Sequence, residues 1–186
     1  MEVFYMKATG IVRRIDDLGR IVIPKEIRRT LRIKEGAPLE IFTTGDGEIL
    51  LKKYSPIGEL GDFAESYSES LAGTTGHLIC VTDHDSVIVA AGPGKKHYLG
   101  KRISSDLESL IDARGNLVAR RGDSDYRDII QDDPGEYVEE AIATIISGGD
   151  AIGAVVMYGK GEKEFLGTAE RQLVISAANF LGRQME

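Results

Sequence analysis

The stretch GRIVIPKEIRRTL, residues 19–31, decides the fold of the first part of this chain. Its β-branched run GRIVI is typical of a strand, and Pro24 then stands where a helix begins, because its fixed φ suits the first helical position. Ile27 and Leu31 follow four residues apart and predict one apolar stripe on a short helix. A helix of two turns is marginal by itself, so we expect the neighbouring strands to hold it.

Three further β-branched runs surround this stretch: TGIVRRI, PLEIF and EILLKKY, separated by the turn sequences DDLG, KEGAP and TTGDGE. Runs of this length between Gly, Asp and Pro predict strands. Residues 6–54 therefore predict a small β-rich domain with one short helix, which we call the head. About 48 residues bury too little surface for a stable single-chain core, and one cysteine, Cys80, allows no disulfide. We expect two chains to interleave their strands.

Charge is distributed unevenly along this chain of 186 residues, whose formal net charge is −7. Residues 7–34 carry nine Lys or Arg and three acids, a net charge of +6, whereas residues 55–186 carry twelve bases and twenty-two acids, a net charge of −10. Three acids cannot neutralise nine bases, and the excess predicts a nucleic acid as partner. The alternative is a solvated face with salt bridges inside the chain.

The motifs GIVR, LGRIVIP and EIRRTL, in this order, resemble the DNA-binding domain of the AbrB-type bacterial transition-state regulators over residues 6–54. The resemblance implies a swapped-hairpin homodimer that binds double-stranded DNA. The matching DNA contacts would be Arg13, Arg20, Arg28 and Arg29, with Lys7, Arg14 and Arg32 as further cations near the duplex. Arg32 stands where many members of this family place the glycine that ends the helix.

The remaining chain predicts a second domain, which we call the body. SPIGELG after Tyr54 combines Pro and Gly and predicts a linker over residues 55–58. Over residues 59–186 the patterns run helix, strands, helix, strands, helix, which predicts an α+β domain with an antiparallel sheet. The segment GDAIGAVVMYGK resembles the last strand pair of GAF domains, and the whole chain resembles sporulation regulators that join an AbrB-like head to a GAF-like body.

Two apolar stripes lie on the first and last helices of the body, residues 57–74 and 167–185. Their members are Leu60, Ala64, Tyr67 and Leu71 on the first helix, and Leu173, Ala177 and Phe180 on the last. By resemblance these helices would pair across chains as a four-helix bundle and give a homotetramer. The alternative is that both stripes pack on their own sheet. GAF-like domains commonly bind small molecules. Two alternatives therefore stand: the body binds an unidentified small-molecule effector, or it serves only for oligomerisation.

The sequence of the body shows no recognisable group of catalytic residues. His77, Cys80, Asp83 and His84 carry metal-binding atoms, but strand alternation puts residues 77 and 80 on opposite faces, so no metal site and no cofactor is predicted. GKKHYLGK, residues 94–101, lacks the glycine spacing and the Ser or Thr of a phosphate-binding P-loop.

No apolar run approaches the roughly 20 residues that span a bilayer, and the N-terminus lacks the pattern of a secretory signal. We therefore expect a cytoplasmic, nucleoid-associated protein without membrane contact. The sequence predicts a transcriptional regulator, an activator or repressor of sporulation genes, rather than an enzyme. The alternative is an antitoxin-like DNA-binding protein whose C-terminal part binds a protein partner.

Overall fold

The computed structural model describes residues 10–161 and 166–185 of the chain. Its contacts divide the chain into two compact units, of which the first ends at Tyr54 and the second begins at Ser55. The first unit contains the head and the second the body. Lys7, one of the predicted DNA contacts, lies outside the described residues.

The head contains one helix and one hairpin in its described part: α1 Lys25–Thr30, β1 Leu39–Thr43 and β2 Ile49–Lys53. The two strands pair antiparallel, with Leu39 opposite Lys53. Gly47, with a φ of +81°, lies in the turn between them, where a residue with a Cβ would be strained. These elements confirm the strands predicted from PLEIF and EILLKKY and the helix predicted from IPKEIRRTL.

The strands predicted from TGIVRRI and GRIVI are not formed in the described part of the single chain, residues 10–23. A strand needs a partner for its backbone N–H and C=O groups, and the described chain offers none to this segment. Apolar side chains in the head also stay outside any buried core over residues 10–54, with Val12 89% and Ile41 70% exposed. One copy of the head therefore leaves its apolar surface in water.

The body begins with two helices, continues through a mixed stretch of strands and one helix, and ends on a long helix. In chain order its elements are α2 Pro56–Glu59, α3 Gly61–Thr75, β3 Leu78–Thr82, β4 Val87–Ala91, α4 Ser105–Asp112, β5 Asn116–Arg120, β6 Glu139–Ser147, β7 Asp150–Gly159 and α5 Thr168–Arg183. A single 3₁₀ turn, Lys95–His97, follows β4. This order confirms the predicted α+β class.

The five body strands form one sheet in the order β4-β3-β7-β6-β5, and every pair in it is antiparallel. Strand alternation sends side chains to two faces, and both faces are covered. Ile79 and Val81 lie in the core beneath α3 and α5, whereas Leu78 and Cys80 lie in the core on the other side, with α4. At Gly182 a Cβ would collide with the carbonyl oxygen of Ile146, so glycine lets α5 lie directly on β6.

The segment predicted as a linker, residues 55–58, instead belongs to the folded body. The Ser55 hydroxyl accepts a hydrogen bond from the N–H of Gly58 at 3.3 Å and begins α2. Ile57 is only 1% exposed, because it packs into the core with α3 and the sheet. The Pro and Gly of SPIGELG therefore shape a helical turn rather than a free connection.

Three of the seven residues predicted at an oligomer interface are instead inside the body. Ala64, Leu71 and Ala177 are buried against their own sheet, which removes them from any surface that a second chain could touch. The other four remain wholly or partly accessible: Leu60, Tyr67, Leu173 and Phe180. The spacing of these residues identified an apolar face, and the sheet covers part of it.

Candidate nucleic-acid interface and exposed surfaces of the body

A tight turn at Asp16 fixes Arg20 on the head. One carboxylate oxygen of Asp16 accepts hydrogen bonds from the N–H groups of Leu18 at 3.0 Å and Arg20 at 2.8 Å. The other accepts from Nε of Arg20 at 2.8 Å. The backbone N–H and the guanidinium of Arg20 both lower the pKa of Asp16. The ionised carboxylate thus holds Arg20 by its backbone and by its side chain.

Helix α1 presents a second group of cations and ends in a Schellman arrangement. The N–H of Ile33 donates to the carbonyl of Arg28 at 2.8 Å, and the N–H of Arg32 donates to the carbonyl of Arg29 at 3.3 Å. Arg32 occupies the left-handed position of this motif, with a φ of 51°. The helix therefore ends as it would with glycine at Arg32, at the cost of steric strain in an L-residue.

The described arginines of the head are accessible to a partner, to different degrees. Arg13, Arg14, Arg20 and Arg29 are exposed, whereas Arg28 and Arg32 are half-buried. Arg13 and Arg20 flank the same turn, which the Asp16 N–H closes by donating to the Arg20 carbonyl at 3.1 Å. The turn and α1 thus present the predicted DNA-contacting arginines on defined backbone.

The body carries an exposed cluster of aromatic rings, Phe63, Tyr67 and Phe180, which we call the aromatic patch. The ring of Phe180 on α5 stacks on Phe63 at a centroid distance of 5.4 Å and on Tyr67 at 5.1 Å, both on α3. Phe63 is 44% exposed. The sequence stripe missed Phe63, although its spacing of four residues from Tyr67 places both on one side of a helix.

Other chemistry in the body is buried or dispersed. Cys80 is a free thiol inside the core, and burial raises its pKa, which disfavours the reactive thiolate. Over residues 10–161 and 166–185, no three His, Cys, Asp or Glu side chains are grouped to hold a metal ion. Within those same residues, no helix has the length and apolar character needed to cross a bilayer.

Two protein families match the chain, one for each unit. Residues 59–186 match the family described as Stage V sporulation protein T C-terminal, transcription factor. Residues 12–59 match the family described as Antidote-toxin recognition MazE, bacterial antitoxin.

Individual relatives match either nearly the whole chain or a short part of it. The chain is 50% identical to stage V sporulation protein T of Bacillus subtilis (strain 168), in a match that covers 97% of this chain and 99% of that protein. It is also 60% identical over 52 residues to the transition state regulatory protein AbrB of the same organism, which is 28% of this chain and 53% of that protein.

Among solved structures, the chain is similar to the cofactor binding GAF domain of the nutrient sensor CodY from Clostridium difficile, with a TM-score of 0.52, 10% identity, and coverage of 66% of this chain and 83% of that domain. It is also similar to the GAF domain of PixJ from Thermosynechococcus elongatus, with a TM-score of 0.54, 10% identity, and coverage of 72% and 89%. At these identities the likeness establishes the fold, and it confirms the predicted GAF-like architecture.

Proposed function

The chain belongs to the family of stage V sporulation protein T, and from that premise we propose that it is a DNA-binding transcriptional regulator of sporulation genes rather than an enzyme. The observation that carries this proposal is the net charge of +6 over residues 7–34, in a chain that is otherwise acidic. Within residues 10–34, which the structure describes, Arg20 lies at an exposed turn and Arg29 on α1. In this proposal the polyanion that neutralises the positive charge of the head is double-stranded DNA, on the nucleoid in the cytoplasm.

The DNA-binding unit in this proposal is a dimer of heads with interleaved strands. The support is the apolar surface of the single head, which includes Val12 in the unpaired segment and Ile41 on β1. Strands from a second chain would pair with residues 10–23 and cover these side chains. Burial contributes about 25 cal/mol per Å² of apolar surface, and the contact between the two chains would supply burial that the single head lacks. Association and folding of the head would therefore be coupled.

Within such a dimer, we assign the arginines two tasks. Those near the turn and α1 contact phosphates and set the register of the protein on the duplex. A few guanidiniums read guanine edges or the width of a groove and set the sequence preference. Asp16 supports the first task, since it restrains the guanidinium of Arg20 before DNA is bound.

A tetramer forms in this proposal through the bodies, with the aromatic patch at the contact. The patch joins α3 and α5 and leaves Phe63 exposed, and exposed aromatic clusters commonly mark protein interfaces. Leu173 on α5 is also exposed and would extend the contact. Two dimeric heads linked in this way bind two sites on DNA at once, which raises the overall affinity.

An antitoxin role is less well supported. The antitoxin match covers residues 12–59, which are most of the head and the first five residues of the body. Antitoxin segments that block toxins are usually short and disordered, whereas this body has a continuous core on both faces of a sheet. A body that resists limited proteolysis in the full-length protein would count against a toxin-binding tail.

The decisive experiment is a salt titration of DNA affinity, measured by fluorescence anisotropy with a duplex selected from a random-sequence pool. If two heads neutralise about eight phosphates, log K falls with log salt at a slope of about −7. Arg20→Ala is expected to weaken binding at least about tenfold and to lower the slope. Arg183→Ala on α5 is the matched control, because it removes one exposed cation from the body.

Two results would contradict the proposal. A flat salt dependence would show that the cations of the head do not face a polyanion. Equal losses for Arg20→Ala and Arg183→Ala would show that net charge, rather than the head, governs binding.

A further inference from the structure

A concavity of about 490 Å³ opens on the body between the segment after β4 and the segment before β6. The first segment contributes Lys96, His97, Lys101 and Arg102, and the second contributes Ile130 and Asp132, among others. Sites for small molecules usually have volumes of about 300–1,000 Å³. The volume of this concavity lies within that range.

The walls of this concavity are tied together by backbone hydrogen bonds. The N–H of Gln131 donates to the carbonyl of Arg102 at 3.1 Å, and the N–H of Ser104 donates to the carbonyl of Ile129 at 2.9 Å. Within the first segment, the N–H of Lys101 donates to the carbonyl of Tyr98 at 3.0 Å. The cations thus project from a fixed backbone, which lowers the entropy lost when they bind a ligand.

The charge of the concavity is unbalanced. Lys96, Lys101 and Arg102 face a single carboxylate in the lining, that of Asp132, in a body whose net charge is −10. Over residues 10–161 and 166–185, none of these three cations, nor His97, forms an ion pair or a side-chain hydrogen bond. Ammonium and guanidinium groups donate strong hydrogen bonds to phosphate oxygens, and several such groups together favour a ligand with more than one negative charge.

The inward side of the same two segments is already filled. Tyr98 is buried beside Tyr158, and both hydroxyls donate to Asp133, at 3.4 and 3.2 Å. The side chain of Asp133 is 2% exposed and lies 3.6 Å from the guanidinium of Arg121. A ligand would therefore bind on the outer side, while the backbone that holds it carries Tyr98 and Asp133 into the core.

We propose that this concavity is a binding site for a small polyanion, of the chemistry of pyrophosphate or a phosphate monoester, and that its occupancy is transmitted to the core through Tyr98 and Asp133. The binding itself is independent of DNA. Its use as a regulatory signal rests on the proposed function of the chain.

The test is calorimetric titration of the full-length protein with inorganic pyrophosphate, in a buffer free of phosphate, with adenosine monophosphate and sulfate as further arms. We expect saturable binding of pyrophosphate or the monoester at one site per chain, and a rise in melting temperature by mass action. The chain contains no tryptophan, so near-ultraviolet circular dichroism of its tyrosines reports the change around Tyr98.

The diagnostic variant is the double substitution Lys101→Ala and Arg102→Ala, expected to lower the affinity for the anion at least tenfold. Arg183→Ala is the matched control, because it removes an exposed cation from α5, outside the concavity, and should leave this affinity unchanged. Unaltered melting temperature and near-ultraviolet spectrum without ligand will show that the double variant is folded.

Three outcomes would overturn the site: no saturable binding, equal affinity in the double variant, or sulfate binding as tightly as pyrophosphate. If pyrophosphate does not bind and the double variant also loses DNA affinity, the cations belong instead to a DNA-contacting surface. Pyrophosphate binding by a chain that binds no duplex would leave the site intact and remove only the regulatory proposal.

Discussion

Glu140 on β6 is a buried acid whose protonation should govern the stability of the body. Its side chain is 0% exposed. Oε1 accepts a hydrogen bond from the N–H of Arg127 at 2.6 Å, whereas Oε2 is buried and has no hydrogen-bond partner among the residues that the structure describes. Burial raises the pKa of Glu140 from its ordinary value of 4.5 to about 8. The Arg127 N–H opposes this effect, and the negative charge of Asp128 adds to it.

The sign of the pH dependence follows from this difference in pKa. Between pH 4.5 and about 8 the folded chain holds a proton on Glu140 that the unfolded chain has released, so the free energy of unfolding falls as pH rises. The slope from one such proton is about 1.4 kcal/mol per pH unit. The contribution is fully present below pH 4.5, is lost through pH 8, and amounts to roughly 5 kcal/mol in all.

We expect Glu140→Gln to remove this slope. The amide oxygen can still accept from the Arg127 N–H, and the side chain no longer ionises. Relative to the variant, the wild-type protein should lose about 3 kcal/mol of stability between pH 5.5 and pH 7.5. Urea unfolding followed by near-ultraviolet circular dichroism measures this, because the packed tyrosine rings of Tyr98, Tyr137 and Tyr158 all lie in the body.

Two further variants sharpen this test. Glu65→Gln on the exposed side of α3 removes one negative charge without touching the core, and controls for net charge. Asp128→Asn removes the neighbouring carboxylate, which should lower the pKa of Glu140. The loss of stability should then be complete at a lower pH. The reasoning would be refuted if Glu140→Gln kept the wild-type slope, or if the carboxyl carbon of Glu140 titrated near pH 4.5 by nuclear magnetic resonance.

Three other substitutions test the head and the oligomer. Asp16→Asn raises the net charge of the head, yet we expect up to about fivefold weaker DNA binding, because Arg20 loses its restraint; tighter binding in the anisotropy assay would show that charge alone matters. Arg32→Gly should stabilise the head by about 1 kcal/mol, since glycine adopts the left-handed φ without strain; an unchanged or lower melting temperature would contradict this. Phe180→Ala should weaken association of the bodies by about 2 kcal/mol and shift tetramers to dimers in sedimentation velocity, whereas Asn179→Ala, an exposed neighbour on α5, should not.

Much of the local structure was predictable because it depends on short-range chemistry. The β1–β2 hairpin and α1 follow from alternating apolar residues, turn residues and a proline before the helix, all within a few residues of one another. The antiparallel sheet of the body likewise follows from runs of β-branched residues that must pair to satisfy their backbone groups, although β5, which contains a single β-branched residue, was not predicted.

Residues 10–23 are a segment whose structure short-range chemistry does not determine. Their β-branched pattern predicts strands, but strand formation also needs a neighbour, and the described single chain has none beside them. The left-handed Arg32 is a second case, because the sequence contained no glycine to mark the end of α1. There the Schellman hydrogen bonds, formed only once the helix exists, fix the conformation.

The sequence by itself determined the basic head, the acidic body, and the helix and strand periods of this protein, because composition and spacing depend on nothing outside the chain segment that carries them. Only the tertiary structure decided that Ala64 faces the core while Phe63 faces solvent, and that Lys101 and Asp132 line one concavity. The spacing of apolar residues specifies which face of a helix or strand is apolar, but not which part of the protein packs against that face. Residues some thirty positions apart meet only when the sheet has closed.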